Sequence, residues 1–111
     1  MPRAEFWITR PTHYWMPDSR FDGSLNFGKI YEDAGLDGLL LFDTQNLAPE
    51  VYTSLTAIAL QTSRIKLGTG VTNPKTRHAA VTASSIATLD QLSGGRAYLG
   101  LGRGDSALAH I

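Results

Sequence analysis

The residues able to do chemistry in this sequence are few, and they gather where apolar runs end. Asp43 closes the run Gly38-Leu39-Leu40-Leu41-Phe42 and is followed by Thr44, Gln45 and Asn46. Gly70, Val71, Thr72 and Asn73 end a second run that starts at Ile65, with Pro74 next. Gly102-Arg103-Gly104-Asp105-Ser106 ends another, and Thr9-Arg10 the first of the chain. A carboxyl such as that of Asp105 acts as an acid or proton relay only if burial or neighbouring charge raises its pKa toward the working pH. In the same place it also serves to N-cap a following helix. Asp43 carries two readings as well, a site group or the cap of a turn. The glycines flanking Thr69 either bend a strand or let another group approach its backbone closely, and Asn73-Pro74 is a turn former in any protein. His13, His78 and His110 stand isolated and Cys is absent, so no metal site is expected. Gly100, Gly102 and Gly104 follow a strand without the spacing of a dinucleotide fingerprint.

These groups need a scaffold, and the apolar periodicity supplies one. Ala4 to Ile8 is rich in the aromatic and β-branched types that suit a strand. A long loop from Thr9 to Gly23 follows, with Tyr14, Trp15 and Met16 inside it; loops of that length are mostly functional. Ser24 as N-cap, Leu25, Phe27, Ile30, Tyr31 and Ala34 at helical spacing, and Gly35 as a stop predict a first helix. Gly38 to Phe42 reads as a strand buried on both faces. Pro49 in a first turn and Val51, Leu55, Ile58 and Ala59 on one face predict a second helix to about Ser63. Ile65 to Thr72 is a third strand, His78 to Leu92 a third helix stopped by Ser93-Gly94-Gly95, and Arg96 to Gly102 a fourth strand. Arg103 to Ile111 enters a fourth helix. Leu89 and Leu92 are expected to pack on the sheet, and Asp90 to pair with Arg96. The order β-α-β-α-β-α-β demands parallel strands with helical crossovers. Periodicity leaves a doubly wound open sheet and an eight-fold barrel both open, and in either one ligands meet the C-terminal strand ends.

Bulk properties narrow the function. Ten basic residues balance ten acidic ones, so no net field draws in nucleic acid or an anionic membrane surface. The 111 residues, 42% of them apolar and without a long uncharged run, read as soluble globular material of one domain or less. Charges at Arg3, Glu5, Arg10 and Asp18 interrupt the first twenty positions as no secretory signal would allow, and a cytoplasmic location is the default expectation.

The run Lys66-Leu-Gly-Thr-Gly-Val-Thr-Asn-Pro74, then Arg77-His78, then Thr88-Leu-Asp-Gln-Leu-Ser-Gly-Gly-Arg96 and Leu99-Gly-Leu-Gly-Arg-Gly-Asp105 resembles the luciferase-like monooxygenase superfamily. Within it, the likeness is strongest to the methylenetetrahydromethanopterin-reductase-like group. The resemblance implies that residues 1–111 are the N-terminal part of a single (β/α)8 TIM-barrel domain, with about half the barrel missing, since such barrels run to about 250 residues. It implies an oxidoreductase that moves hydride between bound FMN, or the 5-deazaflavin coenzyme F420, and a small organic substrate, with oxygen used in monooxygenase members. A full-length protein is expected to be a homo-oligomer. Such a ring needs a tight backbone surface, donors for its phosphate and a polar group at its edge. By resemblance, Thr69, Gly70 and Val71 form that surface, with a cis peptide at Gly70–Val71, and Asp43, Thr44, Asn73 and Gly104 join the cofactor site. Asp105 is the residue implied in acid or proton-relay work. Some deazaflavin relatives carry His where this chain has Thr44, so a His-based proton role is not carried over. Aromatics at the end of the first strand and in its long loop, Trp7 and Trp15, are candidate walls for ring or substrate, with core packing the equal alternative for Trp7. A TIM-barrel enzyme of other chemistry and an inactive truncated chain remain the alternatives.

Overall fold

The computed structural model describes residues 3–14, 21–109 and 111. In chain order the elements are β1 (Trp7–Arg10), α1 (Phe27–Asp33), β2 (Gly38–Leu41), α2 (Val51–Gln61), β3 (Lys66–Thr72), α3 (Ala79–Leu92), β4 (Ala97–Leu101) and α4 (Asp105–Ala109). The four strands form one parallel sheet in the order β1-β2-β3-β4. A doubly wound sheet reverses its strand order at a switch point, whereas a barrel adds each strand beside the last. The uninterrupted order therefore decides for the barrel arrangement.

Alternation along the strands separates two faces. Leu39, Leu41 and Leu67 point to the helices, where they meet Val51, Leu55 and Ile58 of α2, Phe27 of α1 and Leu89 of α3. Leu39, Leu41, Val51, Leu55, Ile58, Ile65 and Leu67 are all fully buried, and each Leu or Ile removed from water stabilises by about 1.5–3 kcal/mol. The opposite face, which lines a barrel's interior, carries Trp7, Leu40 and Tyr98. Glycines make room there: a Cβ at Gly38 would lie 2.2 Å from the Trp7 ring, one at Gly70 2.6 Å from Leu40 Cβ, and one at Gly68 2.1 Å from the Tyr98 carbonyl oxygen. The Trp7 and Tyr98 rings meet edge to face at 5.0 Å.

Several element bounds differ from the periodic reading. β1 runs from Trp7 rather than from Ala4, because its pairing starts at Trp7↔Gly38 and extends to Arg10↔Leu41. α1 starts at Phe27 after Asn26. Ser24 is instead taken up in a turn, its N–H donating to Asp22 Oδ1 and its hydroxyl to Asn26 Oδ1. Pro49 lies just outside α2, whose N-cap is Glu50, a carboxylate accepting from the Thr53 N–H at 2.8 Å. His78 caps α3 through Nδ1, which accepts from the Ala80 N–H at 3.1 Å. Of α3 only Leu89 is buried; Leu92 stays half-exposed, on a helix that packs against α2 and β4. Tyr98, Leu99 and Leu101 are exposed on β4, the edge strand of the sheet among the described residues.

The expected Asp90–Arg96 pair does not form. Arg96 turns inward and spends its N–H groups on Ser93, Ala59, Thr62 and Ile65, while Asp90 Oδ1 accepts from the Ala97 N–H at 3.3 Å. Among the described residues, no helix is long and apolar enough to cross a membrane.

Candidate functional site

The C-terminal ends of β2, β3 and β4 open onto one cleft of about 320 Å³. The β2–α2 loop contributes Phe42, Asp43, Thr44 and Leu47, the end of β3 contributes Gly70, Val71 and Asn73, and the loop into α4 contributes Gly104, Asp105 and Ala107. Tyr14 closes one side. Of the eight site residues singled out in the sequence, seven line this cleft: Asp43, Thr44, Gly70, Val71, Asn73, Gly104 and Asp105.

Thr69 is the exception. Its side chain is fully buried and is spent on β4, donating to the Gly100 carbonyl at 2.9 Å and accepting from the Gly100 N–H at 3.0 Å. This bridge sits where the β3–β4 register shifts between Thr69 and Thr72. The Gly70–Val71 peptide is cis, and Val71, half-exposed, lies over β4, where a Cβ on Gly102 would come within 2.8 Å of Val71 Cγ2. A Cβ on Gly70 would lie 2.6 Å from Leu40 Cβ on the interior face.

Asp43 is buried and its two oxygens are fully engaged. Oδ2 accepts from the Thr72 hydroxyl at 2.5 Å and from Arg77 Nη1 at 2.6 Å, while Oδ1 accepts from Gln45 Nε2 at 2.7 Å and Arg77 Nη2 at 3.3 Å. Nη2 of Arg77 also pairs with Glu50. The guanidinium lies 4.8 Å from the centre of the Tyr52 ring. Burial opposes the charge of Arg77, but the two carboxylates outweigh it and raise its pKa further above the ordinary arginine value. Burial likewise pushes the Tyr52 hydroxyl up. Asp43 thus anchors a junction of two loops, a larger role than capping its own turn.

Asn73 is 1% exposed. Its Oδ1 accepts from the N–H groups of Lys75 and Thr76, both at 2.9 Å, which fixes the amide's orientation because only the oxygen can accept. Nδ2 is therefore left as a buried donor with no partner among the described residues. Such a group costs about 1–3 kcal/mol when left unsatisfied, and its residue lines the cleft. That is the feature that fits an acceptor-rich ligand. Gly104 holds φ +86°, and a Cβ there would sit 2.6 Å from Asn73 Cβ. Gly104→Ala is expected to lower the melting temperature by about 5–10 °C and to weaken hydrogen-exchange protection of the Lys75 and Thr76 N–H groups, since the new methyl must displace Asn73. Unchanged exchange would show that Asn73 is not wedged by this loop.

Asp105 opens α4 at the mouth, with its side chain 74% exposed and Oδ2 accepting from Arg103 at 2.8 Å. The described residues do not supply the burial that acid chemistry needs. Trp7 lies at the other end of the sheet, against Gly38 and Tyr98, so it does not wall the cleft; Trp15 lies outside the described residues. Tyr14 is the aromatic that does reach it. Among the described residues no group of three or more His, Asp or Glu is placed to hold a metal. Sequence reasoning missed Arg77 as a site group, and its signal was a cation just beyond the turn that follows β3, facing the acidic end of the neighbouring strand.

Comparison with known proteins gives this cleft a context. The chain is 52% identical over 82 residues to 5,10-methylenetetrahydromethanopterin reductase of Methanolobus tindarius, a match that covers 74% of this chain and 25% of that protein. It superposes on the coenzyme F420 dependent tetrahydromethanopterin reductase from Methanopyrus kandleri with a TM-score of 0.80 and 40% identity, covering 96% of this chain and 29% of the other. The monooxygenase RslO1 from Streptomyces bottropensis is similar at 28% identity and a TM-score of 0.78, over 90% of this chain and 33% of that one. The chain thus spans about a quarter to a third of the length of these relatives. The family model described as luciferase-like monooxygenase matches residues 5–110, and with the parallel β1-β2-β3-β4 order and the cleft at its C-terminal ends, the chain belongs to the luciferase-like monooxygenase family.

Proposed function

We propose that this chain supplies the cofactor-holding mouth of a barrel oxidoreductase that exchanges hydride between coenzyme F420, or FMN, and a small organic molecule. The observation that carries the reading is the buried Nδ2 of Asn73, without a partner among the described residues, set in the cleft of a chain 40% identical to an F420 dependent reductase. The deazaflavin or flavin ring is the two-electron carrier, a chemistry no side chain here provides. The chain's own residues bind and orient. Asn73 donates from Nδ2 to a ligand acceptor, and Gly70 and Val71 present a backbone surface with a half-exposed valine on it. Asp43, its oxygens already holding four donors, keeps the wall rigid. Asp105 is the carboxyl with open access to a substrate at the mouth. F420 is preferred over FMN on the identity to the Methanopyrus protein. The balanced charge of the sequence suits a small-molecule substrate rather than nucleic acid.

The test is a fluorescence titration of the chain, alone and extended through its downstream reading frame, with F420 and with FMN. Saturable binding of F420, tighter than of FMN, is expected; tighter FMN binding reassigns the carrier, and binding of neither overturns the proposal. Asn73→Asp tests the decisive atom, because it keeps oxygen acceptors for the Lys75 and Thr76 N–H groups and removes the donor, while adding a negative charge at a buried position. We expect a loss of affinity of about tenfold or more, together with a lower melting temperature from the buried charge. Undiminished affinity would mean that Nδ2 does not meet the ligand.

A further inference from the structure

We infer that Arg77 is a positioning residue: its guanidinium fork ties the β2–α2 and β3–α3 loops into one wall of the cleft and so fixes the aim of the Asn73 amide. The inference rests on the cofactor reading given above, and it deepens that reading by assigning a role to a residue that does not itself line the cleft.

Each loop alone has few fixed points. The β2–α2 loop carries Asp43, Gln45 and Glu50, and the β3–α3 loop carries Asn73, Thr76 and Arg77. Arg77 joins them through both nitrogens, with Nη1 and Nη2 on Asp43 and Nη2 also on Glu50. Its side chain is 13% exposed and that of Asp43 2% exposed, so the pair is shielded from the screening that makes surface ion pairs weak. The guanidinium lies over the Tyr52 ring in the first turn of α2, 4.8 Å from its centre. Thr72, at the end of β3, completes the junction by donating to Asp43. Asn73 follows immediately, and its oxygen holds the N–H groups of Lys75 and Thr76, the two residues directly before Arg77. The segment from Thr72 to Arg77 is therefore pinned at both ends to Asp43, and Asn73 sits between the pins. A planar fork can serve two carboxylates in one fixed geometry, which the point charge of a lysine cannot.

The test compares Arg77→Lys, Arg77→Met and Asp43→Asn, with the double variant Arg77→Met/Asp43→Asn, in two measurements. The first is hydrogen exchange of the Lys75 and Thr76 N–H groups without ligand. The second is affinity for F420 and FMN in the titration above. Arg77→Lys keeps the charge and most of the stem, so the melting temperature should recover relative to Arg77→Met. Protection at Lys75 and Thr76 and the cofactor affinity should nevertheless stay about tenfold down. A residue with a merely structural role would show affinity recovering along with stability. The double variant should lose no more affinity than the worse single one, because both act through one junction. Full recovery of affinity in Arg77→Lys, or additive losses in the double variant, overturns the inference. If the unsubstituted protein binds neither cofactor, the functional reading falls, while exchange at Lys75 and Thr76 still decides whether Arg77 fixes the Asn73 turn. Should Arg77→Met fail to fold, Arg77→Lys and Asp43→Asn carry both measurements.

Discussion

Arg96→Met is expected to leave the chain largely unfolded at 25 °C, seen as loss of the cooperative thermal transition in circular dichroism and of amide dispersion in NMR. Arg96 is 9% exposed, and all five of its N–H donors are used. Nε donates to the Ser93 carbonyl at 2.6 Å, Nη1 to Thr62 Oγ1 and the Ile65 carbonyl at 2.9 Å each, and Nη2 to the carbonyls of Ala59 and Thr62 at 3.0 and 3.1 Å. These acceptors belong to the end of α2, the start of β3 and the end of α3, so one side chain closes three chain segments at the bottom of the sheet. Burial lowers its pKa, with the nearby Glu32 charge offsetting part of that effect. Methionine fills a similar volume but donates nothing, and each abandoned buried carbonyl costs about 1–3 kcal/mol. The Ala59 carbonyl keeps the Thr62 N–H, and the other three together, about 3–9 kcal/mol, approach the net stability of a small domain, about 5–15 kcal/mol. Arg96→Lys, with three donors on one atom, should recover part of the loss. A melting temperature for Arg96→Met within a few degrees of the parent would show that water replaces the guanidinium at little cost.

Arg96 also shows where reading a sequence stops. Its sequence neighbour Asp90 offers an ion pair, whereas four of the five hydrogen bonds it donates go to acceptors more than thirty positions away, at the end of α2 and just before β3, and only the Ser93 carbonyl is local. What is local was legible: the apolar runs of β2 and β3, the spacing of Val51, Leu55 and Ile58, and the glycines after α3 give the elements and hence the parallel order. The bounds that moved, at β1 and α1, are those set by pairing with β2 and by the Asp22–Ser24 turn. The cleft was legible as a location, because strand ends follow from the elements. The division of labour within it was not. That Asp43 is saturated by Arg77, that Thr69 is spent on Gly100, and that Gly70 yields to Leu40 all depend on neighbours across the sheet. The cis peptide at Gly70–Val71 was placed by family resemblance, and nothing in the composition of that segment would have supplied it.

Glu32 is a second buried charge, on a helix face that periodicity alone would have given to an apolar residue, and it makes the fold acid-sensitive. Its carboxylate reaches from α1 to the loop before β3 and accepts from the N–H groups of Ser63, Arg64 and Ile65 at 3.0, 2.6 and 2.9 Å. Burial acts against its charge, but these three donors, with Lys29 beside them, outweigh that and hold its pKa at about 2, against an ordinary value of 4.5. A folded-state pKa below the unfolded one means that the unfolded chain takes up the proton first. Stability from Glu32 is therefore present in full above about pH 5 and is lost as the pH falls from about 4.5 to about 2, a contribution of about 3 kcal/mol. Asp37 and Glu5 are also held below their ordinary values, by the side chains of Arg3 and Lys66 respectively, so the parent's acid sensitivity is not due to Glu32 alone. Glu32→Gln separates it, since the amide oxygen still accepts from the loop but carries no charge and does not titrate. The variant should be about 1–2 kcal/mol less stable at pH 7, and its urea-unfolding free energy should fall less steeply than the parent's between pH 5 and pH 3, the two curves converging toward the acid end. Parallel curves across that range would mean that the loop donors are satisfied equally well by a neutral group, and that the acid sensitivity of the fold lies with the Arg3–Asp37 and Lys66–Glu5 pairs instead.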